Sequence, residues 1–366
     1  MTQKILTVFG TRPEAIKMAP LVRALAQDSR FDAKVCVTAQ HRDMLDQVLK
    51  LFQIQPDVDL NVMTPGQDLF QVTTNVMNGM KTVLDDLKPD VVLVHGDTTT
   101  TMATSLACFY QQIAIGHVEA GLRTHNMHYP FPEEMNRVVT DAVSRYFFCP
   151  TEQSLAHVKQ QHPQTDLTGR ALVTGNTVID ALLYTLKQSS PDLPINLDTT
   201  ERMILATVHR RENFGQPLLE ICKGFLELVN RFDDVTLVLP VHPNPNVSRV
   251  IYEQLGSHKR VQLIEPTDYD VFCHLMNRAD LILTDSGGVQ EEAPSLGKPV
   301  LVLRDETERP EAVEMGTVKL VGPHANAIVS QASELLSNPD AYNAMANQVN
   351  PYGDGQATKR ILDALH

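Results

Sequence analysis

A chain of 366 residues, 43% of them hydrophobic, is too long for one ordinary core and is expected to fold as two domains. Its 31 basic and 44 acidic residues leave a net charge of −13, which argues against nucleic acid or an anionic membrane as a partner. The five scattered cysteines read as free thiols, no apolar run reaches membrane-span length, and a strand from Ile5 leaves no room for a signal peptide, so a cytoplasmic location is expected.

The first predicted strand, Ile5–Phe9, runs into Gly10-Thr11-Arg12-Pro13-Glu14 and a helix over Glu14–Gln27. Pro13 suits a helix start because its missing N–H costs nothing there. Arg12 and Lys17 then lie near a positive helix end, where they favour a diphosphate; the alternative is a helix start with solvated cations. A strand over Ala33–Thr38 and a helix over Leu69–Leu87 follow. Strands Val91–His95 and Ile113–Val118, separated by a helix over Thr98–Tyr110, end in His95-Gly96-Asp97 and in Val118-Glu119-Ala120-Gly121. Each places a carboxylate at a strand end, where an isolated charge is costly without a partner or a task. Asp97 and Glu119 together match what acid–base work at a sugar carbon needs, with structural pairing as the alternative. Glu133 and Glu134 begin a helix over Glu133–Ser144, with Arg137 one turn on; Glu133 reads equally as a catalytic acid or as a first-turn complement to the dipole. Tyr146–Cys149 is the last strand predicted in this half.

The polar stretch Ser189-Ser190-Pro191-Asp192-Leu193-Pro194 marks a break, after which strands are expected at Met203–Thr207, Val235–Pro240, Val261–Ile264, Leu281–Thr284 and Val300–Leu303. Strand–helix alternation throughout implies two doubly wound α/β domains with parallel sheets, facing a cleft. In such folds ligands sit beyond the carboxyl ends of the strands. His209, before Arg210 and Arg211, follows one strand end, and His242 follows the next. Ser286, Gly287 and Gly288 open a helix after Leu281–Thr284, an arrangement that binds anions through free backbone N–H groups or else only packs tightly. Glu292 suits the hydroxyls of a ribose, so the segment reads as a nucleotide or nucleotide-sugar site. Arg309 follows the last strong strand toward the same pocket. No Gly-x-Gly-x-x-Gly and no P-loop sequence occurs, which removes most of the case for redox dinucleotides and ATP. His125 and His128 lack the spacing of a metal site, and no cofactor or metal is expected.

Taken in order, these segments, with Asp305–Glu311 and Asn350–Gly355, resemble the bacterial non-hydrolysing UDP-N-acetylglucosamine 2-epimerases over essentially the whole chain. The resemblance implies the two-Rossmann-domain architecture of glycosyltransferase-B enzymes. The N-terminal domain would span 1–175 and the UDP-binding domain 176–354, with a terminal helix in 355–366 crossing back onto the first. It implies interconversion of UDP-GlcNAc and UDP-ManNAc for surface polysaccharides, and a homodimer. Asp97, Glu119 and Glu133 would be the acid–base carboxylates, with His209 beside them. Arg12, Lys17 and Arg137 would contact substrate, and Phe272, Ser286, Gly287, Gly288, Glu292 and Arg309 would hold UDP. Gln40, Asp43 and His242 are the candidates for an allosteric site. Members activated by a second UDP-GlcNAc carry glutamine where this chain has Asp43, so allosteric activation is where the resemblance is weakest. The rivals are a hydrolysing epimerase releasing free ManNAc, a glycosyltransferase of the same fold, and an inactive nucleotide-sugar sensor.

Overall fold

A computed structural model describes residues 2–38, 42–62, 66–197 and 201–366. Gln40 and the side chain of Asp43 lie outside the described residues. The chain divides into two compact units, residues 1–184 with 352–366, and residues 185–351. The sequence reading puts the change of domain at 175/176; the division between the compact units falls inside a helix over Thr177–Gln188.

The first unit alternates strand and helix: β1 (Gln3–Phe9), α1 (Arg12–Gln27), β2 (Phe31–Val37), α2 (Arg42–Leu51), β3 (Val58–Asp59), α3 (Leu69–Leu87), β4 (Val91–His95) and α4 (Thr99–Tyr110). It continues with β5 (Ala114–Val118), α5 (Glu133–Val143), β6 (Tyr146–Cys149), α6 (Glu152–Gln161), β7 (Ala171–Val173) and α7 (Thr177–Gln188). All pairs are parallel, in the order β3-β2-β1-β4-β5-β6-β7. Every residue of β4 is buried, as an apolar run covered on both faces requires. Strand order reverses between β1 and β4, which opens a crevice at their carboxyl ends.

The second unit repeats the plan with β8 (Arg202–Thr207), α8 (Gln216–Arg231), β9 (Val235–Pro240), α9 (Pro245–Leu255), β10 (Val261–Ile264), α10 (Tyr269–Arg278) and β11 (Leu281–Thr284). After these come α11 (Gly287–Glu292), β12 (Val300–Val302), α12 (Pro310–Glu314), β13 (Val318–Leu320), α13 (Ala325–Ser337) and α14 (Pro339–Ala346). The sheet, again parallel, has the order β10-β9-β8-β11-β12-β13, with its reversal between β8 and β11. Its core joins Ile204, Leu237 and Leu283 of the strands to Phe225 and Ile328 of α8 and α13.

Both sheets are the doubly wound kind expected from the sequence. Three strands escape the sequence reading: β3, β7 and β13. Each is two or three residues long and at most partly buried. Helix α15 (Ala357–Leu365) belongs to the first unit, where it packs against α1 and buries Ile361, Leu362 and Leu365. Asp180 of α7 caps it from outside, accepting from the backbone N–H groups of Ala357 and Thr358 at 3.2 and 2.9 Å. Among the described residues no helix is long and apolar enough to cross a membrane.

Candidate functional site

In the first unit the turn after β1 is held by Glu14. Thr11 caps α1 and Glu14 completes the capping box. The buried Glu14 carboxylate accepts from the N–H groups of Gly10 and Thr11 at 3.1 and 2.8 Å and from the Thr98 hydroxyl at 2.7 Å. It thereby ties the end of β1 to the start of α4 across the strand-order reversal. Gly10 is required there, because a Cβ would overlap the Thr38 hydroxyl. Arg12, half-buried at the head of α1, makes no side-chain hydrogen bond or ion pair among the described residues.

Lys17, further along α1, forms an ion pair with Glu119. The same Glu119 oxygen accepts from Asn176 Nδ2 at 2.7 Å and lies 3.7 Å from His95 Nε2. Glu119 has φ +66°, a left-handed backbone that costs a non-glycine residue of order 1–3 kcal/mol and is found where geometry matters. That turn aims the carboxylate at the end of β4, where a methyl on Gly96 would sit 3.6 Å from Glu119 Oε1. Asp97 follows, ion-paired with Arg137, while Asn136 Nδ2 donates to the Asp97 carbonyl at 2.9 Å. Burial pushes the Asp97 carboxyl up; Arg137 holds part of that rise back and Glu119 adds to it. Asp97 and Glu119 are therefore brought together, each with its own cation. Glu133 is half-buried in the first turn of α5 without a hydrogen bond or ion pair among the described residues. Its neighbour Glu134 is buried, accepts from the N–H groups of Thr124 and His125, and approaches Arg137 at 3.4 Å.

In the second unit the organising group is Asp285, fully buried at the end of β11. It accepts from the N–H groups of His209 and Arg210, both at 2.9 Å, from Asn213 Nδ2 at 3.0 Å and from His209 Nδ1 at 2.8 Å. Burial raises its carboxyl, but His209 and these N–H groups outweigh that and hold it below its usual range. A carboxylate only accepts, so Nδ1 of His209 donates to it, and in the neutral imidazole the lone pair then lies on Nε2. His209 and His242 stack with centroids 6.0 Å apart on a cavity of about 180 Å³ that Phe272, Pro266 and Thr267 also line. Burial and the neighbouring His209 lower the affinity of His242 for a proton.

Ser286 stands before α11 without a side-chain cap, leaving the helix start to its backbone. A methyl on Gly287 would lie 3.6 Å from Arg210 Nη2 and 4.0 Å from Arg309 Nη2, so two guanidinium groups converge where the sequence suggested an anion. Arg309 is held by Glu291, and Glu292 accepts from the Tyr269 hydroxyl at 2.7 Å while facing Gly288. Ser286, Gly287, Gly288, Glu292 and Arg309 thus form one cluster, and Phe272 lies with His209 and His242 at the neighbouring cavity. Sequence reasoning missed Arg210, Asp285, Glu14 and Asn176. The first two stood beside chosen residues, and a polar side chain directly after a strand was the available signal.

A family model described as UDP-N-acetylglucosamine 2-epimerase matches residues 23–366. The UDP-N-acetylglucosamine 2-epimerase of Escherichia coli is 57% identical over 371 aligned residues, covering 99% of this chain and 98% of that protein. The crystal structure of UDP-GlcNAc 2-epimerase from Neisseria meningitidis bound to UDP-GlcNAc is similar at a TM-score of 0.87 and 50% identity, with 99% of each chain covered. The glycotransferase of kitacinnamycin, 13% identical, shares the fold alone, at a TM-score of 0.66. Paired carboxylates in one unit, convergent arginines in the other and this identity along nearly the whole length agree: the chain belongs to the UDP-N-acetylglucosamine 2-epimerase family.

Proposed function

We propose that the chain interconverts UDP-GlcNAc and UDP-ManNAc by eliminating UDP and adding it back, with the sugar held between the two steps as 2-acetamidoglucal. The observation that carries this reading is the partly buried pair Asp97 and Glu119, two neighbouring carboxylates with separate cations, Arg137 and Lys17. Neighbouring carboxylates in different surroundings divide into one acid and one base.

The C2 hydrogen is not next to a carbonyl, so its direct removal as a proton is prohibitive. Cleavage of the C1–O bond sends the electron pair to UDP and makes C1 cationic, which acidifies C2–H. One carboxylate takes that proton as the C1–C2 double bond forms. The other returns a proton to the opposite face of C2 while UDP oxygen rebonds to C1. Atoms and electrons balance without a redox cofactor or a metal. We assign Arg12, Lys17, Arg210, Arg309 and the N-terminus of α11 to the phosphates, whose charge grows in the transition state. Glu292 is assigned to the ribose and Phe272 to the base. His209, oriented by Asp285, and Glu133 complete the proton-transfer groups.

The test is turnover of UDP-GlcNAc in deuterated water without added cofactor, with the sugars resolved by chromatography. UDP-ManNAc carrying deuterium at C2 is expected. Asp97→Asn and Glu119→Gln should keep UDP affinity and lose on the order of a hundred-fold or more in turnover. Free ManNAc and UDP as the main stable products would establish hydrolysis instead, and absence of deuterium at C2 would end the elimination route.

A further inference from the structure

His95 ends β4 with 3% of its surface exposed, and neither of its ring nitrogens has a hydrogen-bond partner among the described residues. Buried imidazoles are rarely left unsatisfied on both sides. Its Nε2 is 3.7 Å from Glu119 Oε2, just beyond hydrogen-bond length, and that oxygen is occupied by Lys17 and Asn176. The charged and titratable groups facing it are Lys17 from α1, His117 from β5 and Glu119 beyond the end of that strand. His117 is itself engaged, by Asp141 at 2.6 Å and the Gly96 carbonyl at 2.7 Å. Asp97, two residues on, is taken by Arg137.

We propose that His95 is a positioning residue that takes Glu119 over from Lys17 once substrate is bound, holding the carboxylate with a neutral N–H in place of a cation. This rests on the reading of Glu119 as a proton-transfer group and of Lys17 as a phosphate ligand. A carboxylate paired with an ammonium is a weak base, because the opposite charge stabilises its ionised form. A neutral donor fixes the same carboxylate and leaves it more basic. Burial suits His95 to that part: it pushes the imidazole down to about 3, so the ring stays neutral beside Lys17. A Lys17 drawn toward a phosphate leaves Glu119 with less of its charge, and His95 is placed to fill the gap. Substrate binding then sharpens the base at the moment it is needed.

The pH profiles of His95→Leu separate this from a packing role, since kcat/KM reports the free enzyme and kcat the substrate complex. Rates are measured from both epimers. In the direction where Glu119 receives the proton, the acid limb of kcat should move up by on the order of one pH unit, because the ionised form has lost a donor. In the opposite direction the alkaline limb should move up instead. The limbs of kcat/KM should stay in place, because Lys17 still holds Glu119 in the free enzyme. His95→Gln, which keeps a neutral N–H, should restore the kcat limbs. If the leucine variant does not fold, His95→Asn, too short to reach Glu119, replaces it. Unmoved kcat limbs in both directions, or equal movement of the kcat/KM limbs, would overturn the proposal. Glu119→Gln is run alongside: retained turnover there removes the assignment of Glu119 itself, whereas an inactive Glu119→Gln with unmoved His95→Leu limbs removes only the part given to His95.

Discussion

Replacing Asp285 with asparagine should reverse the tautomer of His209. One carboxylate oxygen, Oδ2, accepts three hydrogen bonds, from the N–H groups of His209 and Arg210 and from Asn213. The other accepts from His209 Nδ1 and, more weakly at 3.2 Å, from the His209 N–H. Asparagine keeps one acceptor oxygen, and three donors against one decide where it goes. Its NH2 group must then face Nδ1, which gives up its proton and leaves Nε2 protonated. The three retained bonds pass from a charged to a neutral acceptor, a loss of about 1 kcal/mol each and so about 3 kcal/mol in all. For a unit of this size that lowers the melting temperature by about 6–12 °C. Turnover should fall by on the order of a hundred-fold or more, since Nε2 no longer offers a lone pair. Nitrogen chemical shifts of His209 read the tautomer, and scanning calorimetry reads the stability. An Asp285→Asn protein that keeps the Nδ1–H tautomer, or melts with the wild type, refutes this account of how the imidazole is set.

Asp141, buried between His117 and Arg123, tests the pH dependence of stability. Burial raises its carboxyl but its interactions with His117 and Arg123 reverse that and hold it low, so its stabilisation is complete above the unfolded value of about 3.9 and is lost as pH falls through the lower folded one. Asp141→Asn should cost about 3–5 kcal/mol at neutral pH, with the gap in melting temperature to wild type closing in acid; a gap independent of pH contradicts this. Gly10→Ala should destabilise by about 1–3 kcal/mol through overlap with the Thr38 hydroxyl, and adding Thr38→Ala should recover part of it in the same melting assay. Asp180→Ala should cost about 1 kcal/mol by uncapping α15, seen as faster amide exchange at Ala357 and Thr358.

The layout of both sheets was legible because buried parallel strands are continuous apolar runs, as in Val91–Val94 and Leu281–Leu283. Strand β7 was not, since three half-buried residues carry no period, and with it went Asn176, three residues past its end. Asp97, Glu119, Ser286 and Arg309 were chosen by one rule, that polar residues after strands face a ligand. That rule says nothing about which partner a side chain takes. Lys17 looked like a phosphate group and rests on Glu119; Glu292 looked exposed to a ribose and gives one oxygen to Tyr269. Nor does a sequence disclose a left-handed glutamate, which depends on how β5 leaves its sheet.

Because α15 belongs to the same unit as β1 to β7, the second unit is an insertion within the first. Vectorial synthesis therefore completes the two units in reverse of their starting order. Residues 185–351 can close their sheet while the first unit still lacks its last helix. Until residues 357–365 clear the ribosome, the face of α1 that receives α15 is an open hydrophobic surface on a nascent chain. A stalled or truncated translation product would thus pair a finished second unit with an unfinished first one, and quality control would meet this protein through the N-terminal half.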